Sequence, residues 1–186
     1  MVLRQYIANQ FGSKKGLFRL CLAEVNRHMG CYKKLCQIDF QKVNRLVFIC
    51  HGNICRSPIG EAVAKAQGTP AESYGLNTQG GAQADPRALE FGVQKKLILN
   101  HHLTRHIKEY QPTPGDLLIG MEPKHTHALK ALYGNGVQIT LAGLWLQKPV
   151  AYLHDPFNTN ILFFNHCESL VEQAAKALAS RVNTTK

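Results

Sequence analysis

The sequence has no apolar run approaching the roughly 18 residues that a transmembrane helix needs, so no membrane span is expected. No long apolar stretch follows Arg4 and Lys14, so a secretory signal is not expected either. Its six cysteines, at positions 21, 31, 36, 50, 55 and 167 of 186 residues, are too few and too irregular for a disulfide framework. Cys31 and Cys36 have no second Cys or His pair at finger spacing, so no metal site is expected. These features together point to a reducing, cytoplasmic setting. Internal repeats and low-complexity tracts are missing as well. Acidic residues are scarce, 12 against 22 Lys and Arg, and the imbalance is local. Residues 1–45 carry a net charge of +7, and the remaining 141 residues carry only +3. With 45% apolar and 18% charged residues, the chain can bury a sizeable core.

The positive charge lies on residues 1–44, which read as a basic helical extension. Leu3, Tyr6 and Ile7 share a helical face, and Gly12 stops that segment. Ser13 is placed to cap a second helix, in which Leu17, Cys21, Leu22, Val25, Met29 and Tyr32 follow helical spacing. Such a stripe is expected to pack on its own domain or on a second copy, so self-association is one role for the extension. Its charge also suits an acidic partner, an acidic membrane face or nucleic acid, although a solvated helix face is the commoner meaning.

From Arg45 the pattern alternates between strand and helix. Leu46–Ile49, Glu72–Tyr74, Leu117–Met121 and Val137–Leu141 read as strands. Helices are expected over Ile59–Gln67, from Asp85-Pro86 with Ala88, Leu89, Val93 and Leu97 inward, from Pro123 to Tyr133, and from about Ile161 to Val182. Residues 76–84 read as an exposed loop. This alternation predicts an α/β fold, a doubly wound four-stranded parallel sheet with helices on both faces, over residues 45–183. Right-handed crossovers then place the end of the first strand at the carboxyl edge, where such sheets bind ligands.

That end carries the chemistry. The strand Leu46–Ile49 runs into Cys50, breaks at Gly52-Asn53, and re-enters a helix at Ser57-Pro58, with Ser57 as expected N-cap and Pro58 at the first helical position. A strand, a tight loop and a helix N-terminus gather free N–H groups and a positive dipole end into an anion cradle. Arg56, after five intervening residues, supplies a planar fork that can grip two phosphate oxygens. The same positive environment, with a hydroxyl from Ser57, favours the thiolate of Cys50 as a nucleophile. Taken alone, Cys50 would be an inert buried thiol and Arg56 a surface ion pair. As one set between strand and helix they form a candidate site.

The run Cys50-His51-Gly52-Asn53-Ile54-Cys55-Arg56-Ser57-Pro58 resembles the phosphate loop of the low-molecular-weight protein tyrosine phosphatases, and the likeness extends over roughly residues 43–181. The resemblance implies hydrolysis of phosphotyrosine in proteins, with no metal or organic cofactor, Cys50 as nucleophile and Arg56 as phosphate ligand. It implies that Asp155, in Asp155-Pro156, is the general acid. It also implies that Asn53 holds a left-handed conformation braced by Ser57, Ser73 and His102, with His101 leaving a second register open. Loop residues His51 to Ser57 would bind phosphate, and His51, Tyr74, Phe157 and Asn158 would line the substrate pocket. Cys50 and Cys55 would form a reversible protective disulfide. Partners implied are tyrosine-phosphorylated proteins and a tyrosine kinase.

Two other readings compete. Arsenate reduction uses the same loop, but it usually relays a disulfide to further cysteines, and none lies between Cys55 and Cys167. A regulatory module gripping phosphoryl groups or nucleic acid would explain the basic extension. No interleaved aromatic platform accompanies the charge, which argues against nucleic acid.

Overall fold

The computed structural model describes residues 2–185, and of Val2 the backbone alone. The apolar run after residue 44 forms strand β1 (Arg45–Cys50), buried from Leu46 onward. It lies between β2 (Ala71–Gly75) and β3 (Asp116–Gly120), and β4 (Gln138–Leu141) completes a parallel sheet of order β2-β1-β3-β4. Leu46 pairs with Ala71 on one side and Leu117 on the other. The chain thus winds outward from β1 to β2 and then crosses to the other side of β1. The crevice between the carboxyl ends of β1 and β3 is the switch point, where doubly wound sheets accept ligands.

Strand alternation divides the core into two layers. Leu46, Phe48, Leu117 and Ile119 face one cluster with Ile59 and Val63 of helix α3 (Arg56–Ala66) and Val171 and Leu178 of α6 (Ile161–Thr184). Val47, Ile49 and Leu118 face a second cluster with Leu129 of α5 (Pro123–Tyr133). Helix α3 sits unusually close to β1. A Cβ on Gly60 would lie 2.5 Å from the Phe48 ring, so only glycine allows this approach.

Three local expectations are corrected. Helix α3 starts at Arg56 rather than after Ser57, and Cys55 occupies the N-cap position with no side-chain cap bond. Ser57 cannot cap because its hydroxyl is engaged by Cys50 and Asn53 in the loop before the helix. In α4 (Pro86–Gln94) Ala88 and Leu89 face the core as expected, joined by Phe91 and Gly92, and Leu97 packs on it from beyond the helix, but Val93 is exposed. In the extension, α1 (Val2–Phe11) and α2 (Lys14–His28) form as expected, with the Ser13 hydroxyl accepting from Gly16 N–H. However, α2 meets the domain through Gly16, Leu20 and Ala23, not through the predicted stripe. Leu22, Val25 and Met29 are exposed, while Tyr32, beyond the helix, is buried. Small residues let the helix backbone approach the domain closely, and the bulkier face is turned outward. Among the described residues, no helix is long and apolar enough to cross a membrane.

Candidate active site

The loop after β1 is shaped by bonds from outside it. The carbonyls of Cys50, His51 and Ile54 accept from the N–H groups of Leu76, Asn77 and Asp85, at 3.0, 2.8 and 2.8 Å. The Asn53 carbonyl accepts from His102 Nε2 at 2.8 Å, while His101 is exposed beside Asn100, which resolves the register of that pair. Every peptide here is trans, so a carbonyl turned outward turns the next N–H inward. The N–H groups of His51, Gly52, Ile54 and Cys55 therefore point toward the centre of the loop, as an anion cradle requires.

Asn53 is the keystone. It is fully buried at φ +58°, a left-handed conformation that asparagine tolerates better than most residues. Its amide donates to Ser57 Oγ and Ser73 Oγ, each at 2.9 Å, and its Oδ1 accepts from Arg105 N–H at 2.8 Å. Ser73 in turn donates to Glu61 of α3 at 2.6 Å. Burial lowers the pKa of His102 and so favours its neutral form, which suffices to donate one bond to the Asn53 carbonyl.

Cys50 Sγ lies at the loop centre. The Asn53 N–H donates to it at 3.2 Å, and Ser57 Oγ is 3.0 Å away. These are contacts that suit a sulfur carrying negative charge. Cys55 is also buried, and desolvation pushes its thiol pKa far up. The two cysteines thus differ in setting, one surrounded by donors and the other packed under the loop.

Arg56 is almost fully buried. Its Nη1 donates to Glu122 at 2.9 Å and to the Leu153 carbonyl at 3.0 Å, and its Nη2 meets Asp155 Oδ2 at 2.8 Å. Burial opposes its charge, but the two carboxylates outweigh it and raise its pKa. Burial likewise pushes the Glu122 carboxyl up, yet Arg56 and Lys124 hold it below the usual carboxylate range. Among the described residues nothing accepts from Arg56 Nε, which is buried. The guanidinium is thus fixed at Nη1 and offers Nε and Nη2 as one edge.

Asp155 is one-third exposed and stands on the segment that links β4 to α6. Phe157 and Asn158 are exposed beyond it, and His51 is exposed on the loop with its ring beside Asn77. Tyr74, expected at the pocket mouth, is elsewhere. Strand alternation sends Ser73 toward α3 and therefore Tyr74 to the opposite layer. Its ring packs on Tyr110 at 5.5 Å under the Arg105 guanidinium, and its hydroxyl donates to Glu72 at 2.6 Å. No group of three or more His, Cys, Asp or Glu side chains is placed to hold a metal ion among the described residues.

Residues 45–186 match the model of the low molecular weight phosphotyrosine protein phosphatases. The chain belongs to that family. It is 28% identical over 145 residues to the Escherichia coli low molecular weight protein-tyrosine-phosphatase Etp, covering 76% of this chain and 97% of the relative. It is 27% identical over 150 residues to the protein-arginine-phosphatase of Bacillus subtilis, covering 74% and 95%. Among solved structures, the tyrosine phosphatase Wzb of Escherichia coli K30 in complex with sulphate superposes with a TM-score of 0.65 at 28% identity. That match covers 75% of this chain and 99% of the neighbour. Like these relatives, the chain pairs a parallel four-stranded sheet with flanking helices.

Three residues of this phosphatase site have roles that the sequence did not assign. Glu122, the N-cap residue of α5, anchors Arg56; the run Asp116 to Glu122 resembles the family's strand ending in Met-Glu, but that likeness gave Glu122 no role. Arg105, in the run His102-Leu103-Thr104-Arg105 that resembles a family segment, contributes a backbone N–H, and Glu61 gives a second-hand brace through Ser73; the sequence assigned neither a role.

Proposed function

We propose that this phosphatase hydrolyses phosphotyrosine in proteins through a phosphocysteine on Cys50. The observation that carries the proposal is the buried Arg56, anchored at Nη1 and offering Nε and Nη2 beside a thiol ringed by donors. An incoming phosphoryl group takes that edge and the inward N–H groups, and Asp155 is released from Nη2. The Cys50 thiolate attacks phosphorus in line, and the bond to the tyrosyl oxygen breaks. Asp155, having taken up a proton from solvent on leaving Arg56, gives it to that oxygen, so the product leaves as a neutral phenol. The resulting carboxylate then takes a proton from water as the water oxygen attacks the phosphocysteine, which frees the thiolate and inorganic phosphate. Arg56 and the loop N–H groups stabilise the charge on the equatorial oxygens in both steps. Phe157 stands exposed beside Asp155, where an aryl substrate would meet it. Tyrosine-phosphorylated proteins, a tyrosine kinase among them, are the proposed substrates.

The test is the leaving-group dependence of Asp155→Ala. Its kcat/KM on a phosphotyrosyl peptide should fall about 10²–10³-fold, and on dinitrophenyl phosphate, which needs no proton, less than about tenfold. Equal losses on both substrates would remove Asp155 from the role of acid. A phosphoarginine peptide belongs in the same panel because one relative is a protein-arginine-phosphatase. Preferential turnover of that peptide would reassign the substrate.

A further inference from the structure

The segment that bears Asp155 is held by the extension. At its start, the Ala151 N–H donates to Glu24 Oε1 of α2 at 2.8 Å. The Tyr152 hydroxyl is hydrogen-bonded to His154 Nδ1 at 2.7 Å, and the Arg19 guanidinium of α2 faces that hydroxyl. The His154 ring lies against the α1–α2 corner. A Cβ on Gly12 would come within 2.6 Å of it, and one on Gly16 within 3.1 Å. At the segment's far end, Asn160 Nδ2 donates to Asn9 Oδ1 of α1 at 2.9 Å.

The domain holds the same segment at different points. Leu153 N–H donates to the Met121 carbonyl, Cys167 donates to the His154 carbonyl, and Arg87 donates to the carbonyls of Phe157 and Thr159. The residues on both sides of Asp155 are therefore fixed jointly, with the extension gripping Ala151, His154 and Asn160. Asp155 itself follows directly on His154. A proton donor must sit within hydrogen-bond reach of the leaving oxygen, so a displacement of about an ångström is costly.

We propose that the N-terminal extension is a positioning element of catalysis: Glu24 and the α1–α2 corner hold the segment 151–160 so that Asp155 meets the leaving-group oxygen. The inference rests on Asp155 being the general acid. It gives the extension a role in leaving-group protonation; the same segment lends the Leu153 carbonyl to Arg56, whose Nη1 is held independently by Glu122. The loop that carries the nucleophile draws its braces from Ser73, His102, Arg105 and the N–H groups of residues 76, 77 and 85, none of them in the extension.

The experiment compares kcat/KM on a phosphotyrosyl peptide and on dinitrophenyl phosphate in the full chain. The variants are Glu24→Ala, Glu24→Gln, Asp155→Ala and the Glu24→Ala/Asp155→Ala double. Glu24→Ala should lower the phosphotyrosyl value about tenfold and the dinitrophenyl value less than about twofold. Glu24→Gln keeps an acceptor for Ala151 N–H while losing the charge that faces Arg27, so it should restore most of the loss. In the Asp155→Ala background, Glu24→Ala should cost nothing further. Equal losses on both substrates, or losses that add to those of Asp155→Ala, would overturn the proposal. If Glu24→Ala does not fold, Asn9→Ala probes the other end of the grip by the same comparison and the same criteria. A leaving-group-selective Asp155→Ala with wild-type behaviour in the extension variants would sink the positioning role alone. An unselective Asp155→Ala would sink the assignment of the acid.

Discussion

The phosphate loop and the acid-bearing segment are built by opposite means. Cys50 to Ser57 are contiguous, enter from a buried strand, leave into a helix, and are closed around Asn53 by bonds to the carbonyls of Cys50, His51, Asn53 and Ile54. Residues 151–160 have no regular structure and are held by partners as distant as Asn9, Glu24, Met121 and Arg87. Arg56 joins the two regions, because its guanidinium bonds both the Leu153 carbonyl and Asp155. The contrast teaches that Cys50 sits in one contiguous loop braced from residues 73–105, whereas the position of Asp155 is fixed by partners drawn from the extension to α6.

The most severe way to break this contrast is at the joint. Arg56→Lys keeps the charge but cannot reach Glu122, the Leu153 carbonyl and a phosphate edge together. It should lower kcat/KM about 10³-fold on both substrate classes, because it removes transition-state charge stabilisation from the loop itself. Steady-state kinetics with the two leaving groups check this. A loss confined to the phosphotyrosyl peptide would mean that Arg56 acts mainly through Asp155.

Next in size is the keystone of the loop. Asn53→Ala deletes the bonds to Ser57, Ser73 and Arg105 and places alanine at φ +58°. It should cost about 2–4 kcal/mol of stability by loss of buried hydrogen bonds and backbone strain. Denaturant midpoints measure the stability, and phosphate affinity should fall with it. If the variant keeps wild-type phosphate affinity, the outside bonds to the loop carbonyls suffice to hold its shape.

The smallest effect concerns Glu168 of α6. It is wholly buried, neither carboxylate oxygen has a hydrogen-bond partner among the described residues, and desolvation raises its pKa from 4.5 to about 8. A folded value above the unfolded one means that the native state binds the extra proton. That contribution to stability is intact below the unfolded value and is lost as pH rises toward 8. Glu168→Gln removes the titration, so its melting temperature should overtake the wild type as pH rises from 5 to 8. The gain should grow steadily across this window. A pH-independent difference would show that Glu168 does not titrate in this window.

The same contrast explains what could be read in the sequence. Cys50 and Arg56 fall in one short motif whose spacing relates directly to geometry, Ser73 and His102 as braces of Asn53 came only from the family resemblance, and the alternation of strands and helices specified the sheet. Asp155-Pro156 was legible only alongside the loop, since the dipeptide by itself marks a turn. Tyr74 was placed at the pocket because it follows Ser73 in sequence, but strand alternation sends neighbours to opposite faces. Glu122 was hidden because a carboxylate at a strand end gives no hint of which cation it will meet. In α2, periodicity revealed an apolar stripe but not which face would pack. Gly16 and Ala23 won the domain side by allowing close approach, and Leu22, Val25 and Met29 were left outside. The grip of residues 9–24 on residues 151–160 spans most of the chain and has no sequence pattern at all.

The central claim is that Cys50 carries the phosphoryl group. It is tested most directly by rapid acid quench of the enzyme during turnover of a phosphotyrosyl peptide, followed by intact-mass analysis and peptide mapping. The account predicts one phosphoryl group on Cys50, accumulating further in Asp155→Ala with dinitrophenyl phosphate because the water then lacks its base. Continued turnover by Cys50→Ser, or a phosphoryl group mapped to any other residue, would contradict it.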